Sequence, residues 1–282
     1  MSGADGTAAA LPTRGPRGGI RNIAAMAGTV RLDIDGAIAT ITNDNPDKHN
    51  AFDDDMDAQL FDILATIPAT VRAIVWRGEG KSFSSGRDVA SIGTNKTELS
   101  HHELMRRGHR GIQQLWNLDQ PVVVACKGWV MGGSFQRALL ADIRIAAEGT
   151  RFRLPETTHG VIPDTGGIAV LHQICGPGVV SDMVLTGRIM SAEEALNHGI
   201  VSRIVPLDDL DSVCREAAAQ IASAPAATIK LARMIISHLS RPEIRASMDD
   251  ELIYQTYLSR SDDMAELRAA RGEGRPGNYT GS

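Results

Sequence analysis

The sequence predicts an α/β fold with largely parallel strands, and three observations carry that expectation. An alternating apolar–polar hairpin opens the patterned region, short β-type runs then interleave with segments of helical periodicity, and glycine-rich turns follow two of the core runs.

In order, "TVRLDID" and "AIATIT" alternate around Asp35-Gly36, a dipeptide suited to the positive φ of a tight turn, and form the hairpin. Phe52, Met56, Leu60, Ile63 and Ile67 recur at helical spacing, with Asp53, Asp54 and Asp55 in the first turn where the helix dipole favours negative charge. This helix packs against a strand at 73–77. A helix near 98–118, a strand at 121–127, a helix beginning near 133 and a strand at 142–146 continue the alternation. "SAEEALNHGI" reads as a capping box, Ser191 with Glu194, closed by Gly199. "VSRIV" is the last strand, everything from 207 onward is helical in pattern, and the final "RGEGRPGNYTGS" reads as frayed. Residues 1–25, rich in Gly, Ala, Pro and Arg, are expected to be a disordered tail, 26–205 the core, and 206–282 a C-terminal helical region.

Composition removes several classes of function. With 282 residues, 43% of them hydrophobic, the chain buries a large core. Its net charge of −5 gives no basic face for nucleic acid or for an anionic membrane surface. Cys126, Cys175 and Cys214 are odd in number and far apart, as expected in a reducing compartment. No uninterrupted apolar run approaches the roughly 20 residues of a membrane span. The expected location is the cytoplasm.

"RGEGKSFSSGRDVA" (77–90) is glycine-rich and follows a strand, as phosphate-binding loops do. A phosphate loop ending at Gly80-Lys81-Ser82 needs glycine where Val75 stands, and a dinucleotide fingerprint starting at Gly78 needs glycine or alanine where Phe83 stands. A second site, Gly132-Gly133, sits at another strand-to-helix junction. Two such loops can each aim a backbone N–H into one crevice at the strand ends, and two converging donors make an oxyanion hole.

Read in order, "KHNAF" (48–52), "FSSGRDVA" (83–90), "GWVMGGSFQRALLADIRIA" (128–146), "FRLPETTHGVIPDTGG" (152–167), "LTGRIMSAEEALNHGIVSRIV" (185–205) and the terminal "RPGNYTG" resemble the crotonase superfamily, the enoyl-CoA hydratase/isomerase family, over roughly 27–280. The resemblance implies a spiral of ββα units, a C-terminal helical region that trimerises, and trimers that often pair into hexamers. It implies acyl-CoA substrates and no cofactor beyond the coenzyme A they carry. The N–H groups of Arg87 and Gly133 become the oxyanion donors. Lys48, Asn50, Ala51, Ser85, Gly86, Asp88, Val89, Ala90 and Gly132 are expected to line the CoA and substrate site. An enolate beside a thioester concentrates charge on one oxygen, so fixed backbone donors lower its barrier, by about 2.7–4 kcal/mol each.

Family hydratases add water with two glutamates. Glu156 matches one; Gln136 stands at the other and cannot shuttle a proton. Asp164 supplies a carboxylate where hydratases usually carry glycine, as in some double-bond isomerases. The resemblance therefore favours an enoyl- or dienoyl-CoA isomerase with Glu156, Asp164 and Gln136 as candidate catalytic residues. The alternatives are a hydratase, hydrolase or lyase on the same scaffold, or a silent acyl-CoA binder. Bland roles also stand open: Glu156 in an ion pair with Arg151 or Arg153, Asp164 as a helix N-cap, Gln136 as a core amide, Arg87 as a solvated surface side chain, and Gly133 as close packing. The histidines, His159 included, show no metal-ligand spacing.

Overall fold

The computed structural model describes residues 28–88 and 100–282. The expected tail at 1–25 lies outside these residues, as do Val89 and Ala90. The opening hairpin joins β1 (Thr29–Asp35) to β2 (Ile38–Asp44). Its turn falls one residue later than the Asp35-Gly36 reading: Asp35 still pairs with Ile38, and only Gly36 adopts a left-handed φ, +60°. Helix α1 (Asp54–Thr66) starts at Asp53, whose carboxylate accepts the Met56 N–H at 3.0 Å.

The main sheet has the order β1-β2-β3-β4-β6-β9, with β3 (Ala73–Gly78), β4 (Val122–Cys126), β6 (Ile143–Ala147) and β9 (Arg203–Val205), and is parallel beyond the hairpin. A second sheet holds β5 (Trp129–Met131), β7 (Arg151–Arg153) and β8 (Ile189–Ser191). Two core strands pass quickly into this second sheet: β4 leads to β5 and then to α4 (Gly132–Leu139), and β6 leads to β7. The segment after β3 does the same through a bridge between Ser84 and Val130. This is the winding of the expected ββα spiral.

Alternation along β4 fills two cores. Val122, Val124 and Cys126 join the large cluster with Trp76, Phe83 and Phe135, whereas Val123 and Ala125 meet Leu210, Cys214 and Ala218 of α7 (Leu210–Ser223). The strand is buried on both faces, which accounts for its unbroken apolar run. The expected helix at 98–118 is α2 (His101–Ile112) followed by α3 (Gln114–Asn117). Ser191 caps α6 (Ala192–Asn197) by accepting the Glu194 N–H at 3.2 Å.

Among the described residues, helix α5 (Gly167–Thr186) is long and apolar enough, by length and composition alone, to cross a bilayer, although His172, Gln173, Ser181 and Asp182 interrupt its apolar run. It breaks at Gly176 before Pro177 and buries Leu171 and Met183 in the large core. Helix α8 (Ala226–Leu258) docks through Arg233, which bonds Asp142 at 2.9 Å and the Leu115 carbonyl at 2.7 Å. The terminal segment is not frayed. Its amides at Asn278, Thr280 and Gly281 donate to Glu266 and Asp263 of α9 (Asp262–Glu273), because the acidic residues of that helix offer acceptors to a chain folding back along it.

Candidate active site

Segment 82–88 lies between two neighbours. Ser84 N–H donates to the Trp129 carbonyl, and Met131 N–H returns to the Ser84 carbonyl, both at 3.0 Å. On the other side Phe52 N–H donates to the Gly86 carbonyl and Asp88 N–H to the Phe52 carbonyl, both at 2.8 Å. In such a parallel bridge, Phe52 engages the residues flanking Arg87, so the Arg87 N–H turns to the opposite edge. Gly86, Arg87, Gly132, Gly133 and Glu156 all line a cavity of about 660 Å³.

The two glycine loops touch. A Cβ on Gly86, at φ +90°, would fall 2.7 Å from the Met131 carbonyl oxygen, and one on Gly132, at φ +58°, would lie 3.7 Å from the Gly86 Cα. Only glycine permits this approach in left-handed backbone. Gly133 lies in the first turn of α4, where N–H groups have no intrahelical acceptor. Two residues absent from the sequence reading hold the loops together. Ser84 Oγ donates to the Asn50 carbonyl at 2.6 Å, accepts the Gly86 N–H at 3.1 Å and bonds the Ser134 hydroxyl at 2.7 Å. Serines in a glycine-rich loop give no signal that separates this buried clamp from ordinary turn chemistry.

Glu156 follows β7 in a short 3-10 turn and is only 9% exposed. Gln136 of α4 donates its amide to Glu156 Oε1 at 2.8 Å, while Glu156 Oε2 is buried without a partner. Burial above all, and then the like charge of Asp164, pushes the Glu156 carboxyl up to about 8, against a lowering by its own backbone N–H and a smaller one by Gln136. Neither arginine pairs with it: Arg151 stacks over Trp129 at 3.9 Å and Arg153 bonds the Gly187 carbonyl.

Gln136 does more than fill the core. Its Oε1 accepts the Thr165 N–H at 2.8 Å and the Gly167 N–H at 3.4 Å, and Glu251 of α8 accepts the Gly166 N–H at 2.8 Å. These two side chains satisfy the turn amides that the N-cap reading gave to Asp164. The N-cap of α5 is Gly166, without a side-chain cap, and Asp164 lines the cavity beside His109. Burial raises the Asp164 carboxyl, and His109 works against that rise. Glu251 is buried as well, and burial pushes it up to about 7.

The structure redistributes the other expected site residues. Ser85, Gly86 and Gly132 line the cavity; Lys48, Asn50, Ala51 and Asp88 do not. Lys48 pairs with Asp88 at 2.8 Å. Asn50 turns inward, donating to the Glu79 carbonyl at 2.9 Å and the Ser82 carbonyl at 2.8 Å, so its side chain clamps the loop and is closed to substrate. Ala51 is buried. The Arg87 side chain is not solvated at the surface but pairs with Asp54 and, at 2.9 Å, with Asp57 of α1. His159 lines the cavity and meets the Arg271 guanidinium at 2.9 Å.

The sequence profile of enoyl-CoA hydratase/isomerase matches residues 33–281. The chain belongs to this family. A carnitinyl-CoA dehydratase of Escherichia coli is 37% identical over 210 residues, covering 73% of this chain and 79% of the relative, and one from Salmonella enteritidis matches equally. Among solved structures, an enoyl-CoA hydratase/isomerase from Pseudoalteromonas atlantica superposes with a TM-score of 0.81 at 25% identity, over 89% of this chain and all of the other. An enoyl-CoA hydratase/carnithine racemase from Magnetospirillum magneticum gives 0.70 at 27%, over 94% and 100%.

Proposed function

We propose that this family member moves a double bond in an enoyl- or dienoyl-CoA, with the thioester oxygen held by the N–H groups of Arg87 and Gly133. The observation that carries the reading is the asymmetric fixing of Glu156. One carboxyl oxygen is tied to Gln136 and the other is buried and unpartnered. The carboxyl also lies beside Gly132, where an added Cβ would fall 3.6 Å from Oε1. A base with one free oxygen next to two amide donors suits proton removal from the carbon adjoining the thioester. The electron pair left behind rests on the thioester oxygen as a dienolate. Glu156 or Asp164 then returns a proton to a carbon farther along the chain. Burial raises both acids, and with a pKa of about 8 Glu156 passes between its charged and neutral forms within the working pH range, so it can take a proton and give one back.

A second reading is dehydration of a 3-hydroxyacyl-CoA, favoured by the 37% identical carnitinyl-CoA dehydratases. Glu156 then protonates the hydroxyl, which departs as water, a role its pKa of about 8 also suits, while Asp164 takes the α-proton and the electron pair of that C–H bond forms the double bond. The two readings separate in one experiment with a 3-enoyl-CoA and a 3-hydroxyacyl-CoA, following conjugated thioester by absorbance. Conjugation from the 3-enoyl compound without water release supports isomerisation. Turnover of the hydroxy compound alone overturns it in favour of dehydration. Tight binding with no turnover of either leaves a silent acyl-CoA binder.

The same family reading expects self-association as a trimer or a pair of trimers. Leu231, Ile235 and Leu239 form an exposed apolar stripe at four-residue spacing on α8, which supports it. Analytical ultracentrifugation reporting a monomer would reject this expectation.

A further inference from the structure

The cavity is more basic than the protein around it. Six arginines line it against four carboxyl groups, in a chain of net charge −5. Arg87 and Arg137 are matched by Asp54 and Asp57 at the α1 end. The other two carboxyls, Glu156 and Asp164, are pushed toward their neutral forms by burial. Arg107, Arg260 and Arg268 have no ion-pair partner among the described residues.

Arg260 and Arg268 stand beside His101, whose pKa is lowered by burial and then by both guanidiniums. His101 Nε2 is buried without a hydrogen-bond partner. The three groups lie at the start of α2, whereas His109, eight residues along the same helix, meets the Asp164 carbonyl. At 1.5 Å per residue the two histidines are about 12 Å apart. Leu104, Met105 and Ile162 line the same cavity, and the first two lie between those histidines on α2. The loops at 48–52 and 85–88 belong to the opposite end, where Gly111 of α2 packs on Phe61 of α1 and Phe52 bridges Arg87. An acyl chain whose thioester sits at Gly86 and Gly132 and whose tail follows α2 toward its start therefore crosses apolar wall and ends among guanidiniums.

Resting on the acyl-CoA reading above, we propose that His101, Arg260 and Arg268 form a subsite for a carboxylate at the far end of the acyl group. The preferred substrates are then thioesters of medium-length dicarboxylic acids. An extended chain covers about 3.5 Å in three bonds, so roughly ten bonds reach across, and fewer where the arginines lean inward. A bidentate guanidinium suits a carboxylate, and a cationic acyl end, such as the quaternary ammonium of a carnitinyl group, meets like charge there.

The test is binding, by isothermal titration calorimetry, of suberyl-CoA, octanoyl-CoA and free coenzyme A to the full-length protein. Neither acyl thioester carries a double bond, so the comparison needs no turnover. Because Arg260 and Arg268 are exposed to solvent, a preference for suberyl-CoA of about tenfold is expected. In the Arg260→Gln/Arg268→Gln protein the ratio should approach one, and in Arg268→Lys it should be partly kept. Equal affinity of the wild type for both thioesters overturns the subsite and leaves the acyl-CoA reading intact. Equal weakening of all three ligands by the double substitution assigns the cluster to the phosphates of coenzyme A and also overturns it. Binding of none of them overturns the acyl-CoA reading together with the subsite.

Discussion

Replacing Glu156 by glutamine tests the site through stability as well as rate. A carboxyl raised from 4.5 to about 8 is disfavoured in its charged form by burial. At 1.36 kcal/mol per unit the full effect is roughly 5 kcal/mol. The sign follows from proton binding. Between the unfolded and folded pKa values the native state holds a proton that the unfolded chain has released, so stability falls as pH rises through that window. Glutamine keeps the shape and can still accept from Gln136, yet it never ionises. The stability of Glu156→Gln relative to wild type should therefore increase by about 3–4 kcal/mol between about pH 5 and about pH 8. Contributions from Asp164 and Glu251 largely cancel in the comparison. Urea unfolding of both proteins at the two pH values measures the difference, while turnover should drop on the order of 10²- to 10⁴-fold. A stability difference that stays constant with pH refutes the assignment of Glu156 as a buried, raised carboxyl, and unchanged turnover refutes it as the proton carrier.

Gln136→Ala removes a donor to Glu156 and an acceptor for the turn amides. It should cost about 2–4 kcal/mol in urea unfolding and move the pH dependence of kcat along with its size. Ser84→Ala leaves the Gly86 N–H and the Ser134 hydroxyl without their shared partner and should cost about 1–3 kcal/mol; a neutral result would refute the clamp. Gly86→Ala forces a Cβ against the Met131 carbonyl and should lower kcat/KM by about 10²-fold or more in protein that remains folded, read by steady-state kinetics. If Glu156 is the base, kcat/KM for a 3-enoyl-CoA should rise with pH, reach half its maximum near 8 and level off above that, and a fall over that range assigns it as the acid.

Much of the fold was legible because local signals agreed with it. The hairpin, the acidic start of α1, the strand–helix alternation and the capping serine at 191 are each specified within a few residues. The glycine pair was legible for the same reason, since a strand end followed by glycine asks what needs to approach the backbone. What stayed hidden depends on contacts between distant parts of the chain. The N-cap alternative for Asp164 stayed open because nothing near it shows that Gln136 and Glu251, the latter 85 residues from Gly166, already satisfy the turn amides. Asn50 looked like a substrate contact although its amide clamps the loop at 79–83. The end of the chain looked loose because its acceptors lie on the helix before it.

The most direct test of the two-amide site is the carbonyl stretch of an acyl-CoA labelled with carbon-13 at the thioester, recorded by infrared difference spectroscopy when free and when bound. Donation from Arg87 and Gly133 predicts a shift to lower frequency on binding, reduced in Gly86→Ala. A stretch that stays where it is in water, with the ligand fully bound, contradicts the account.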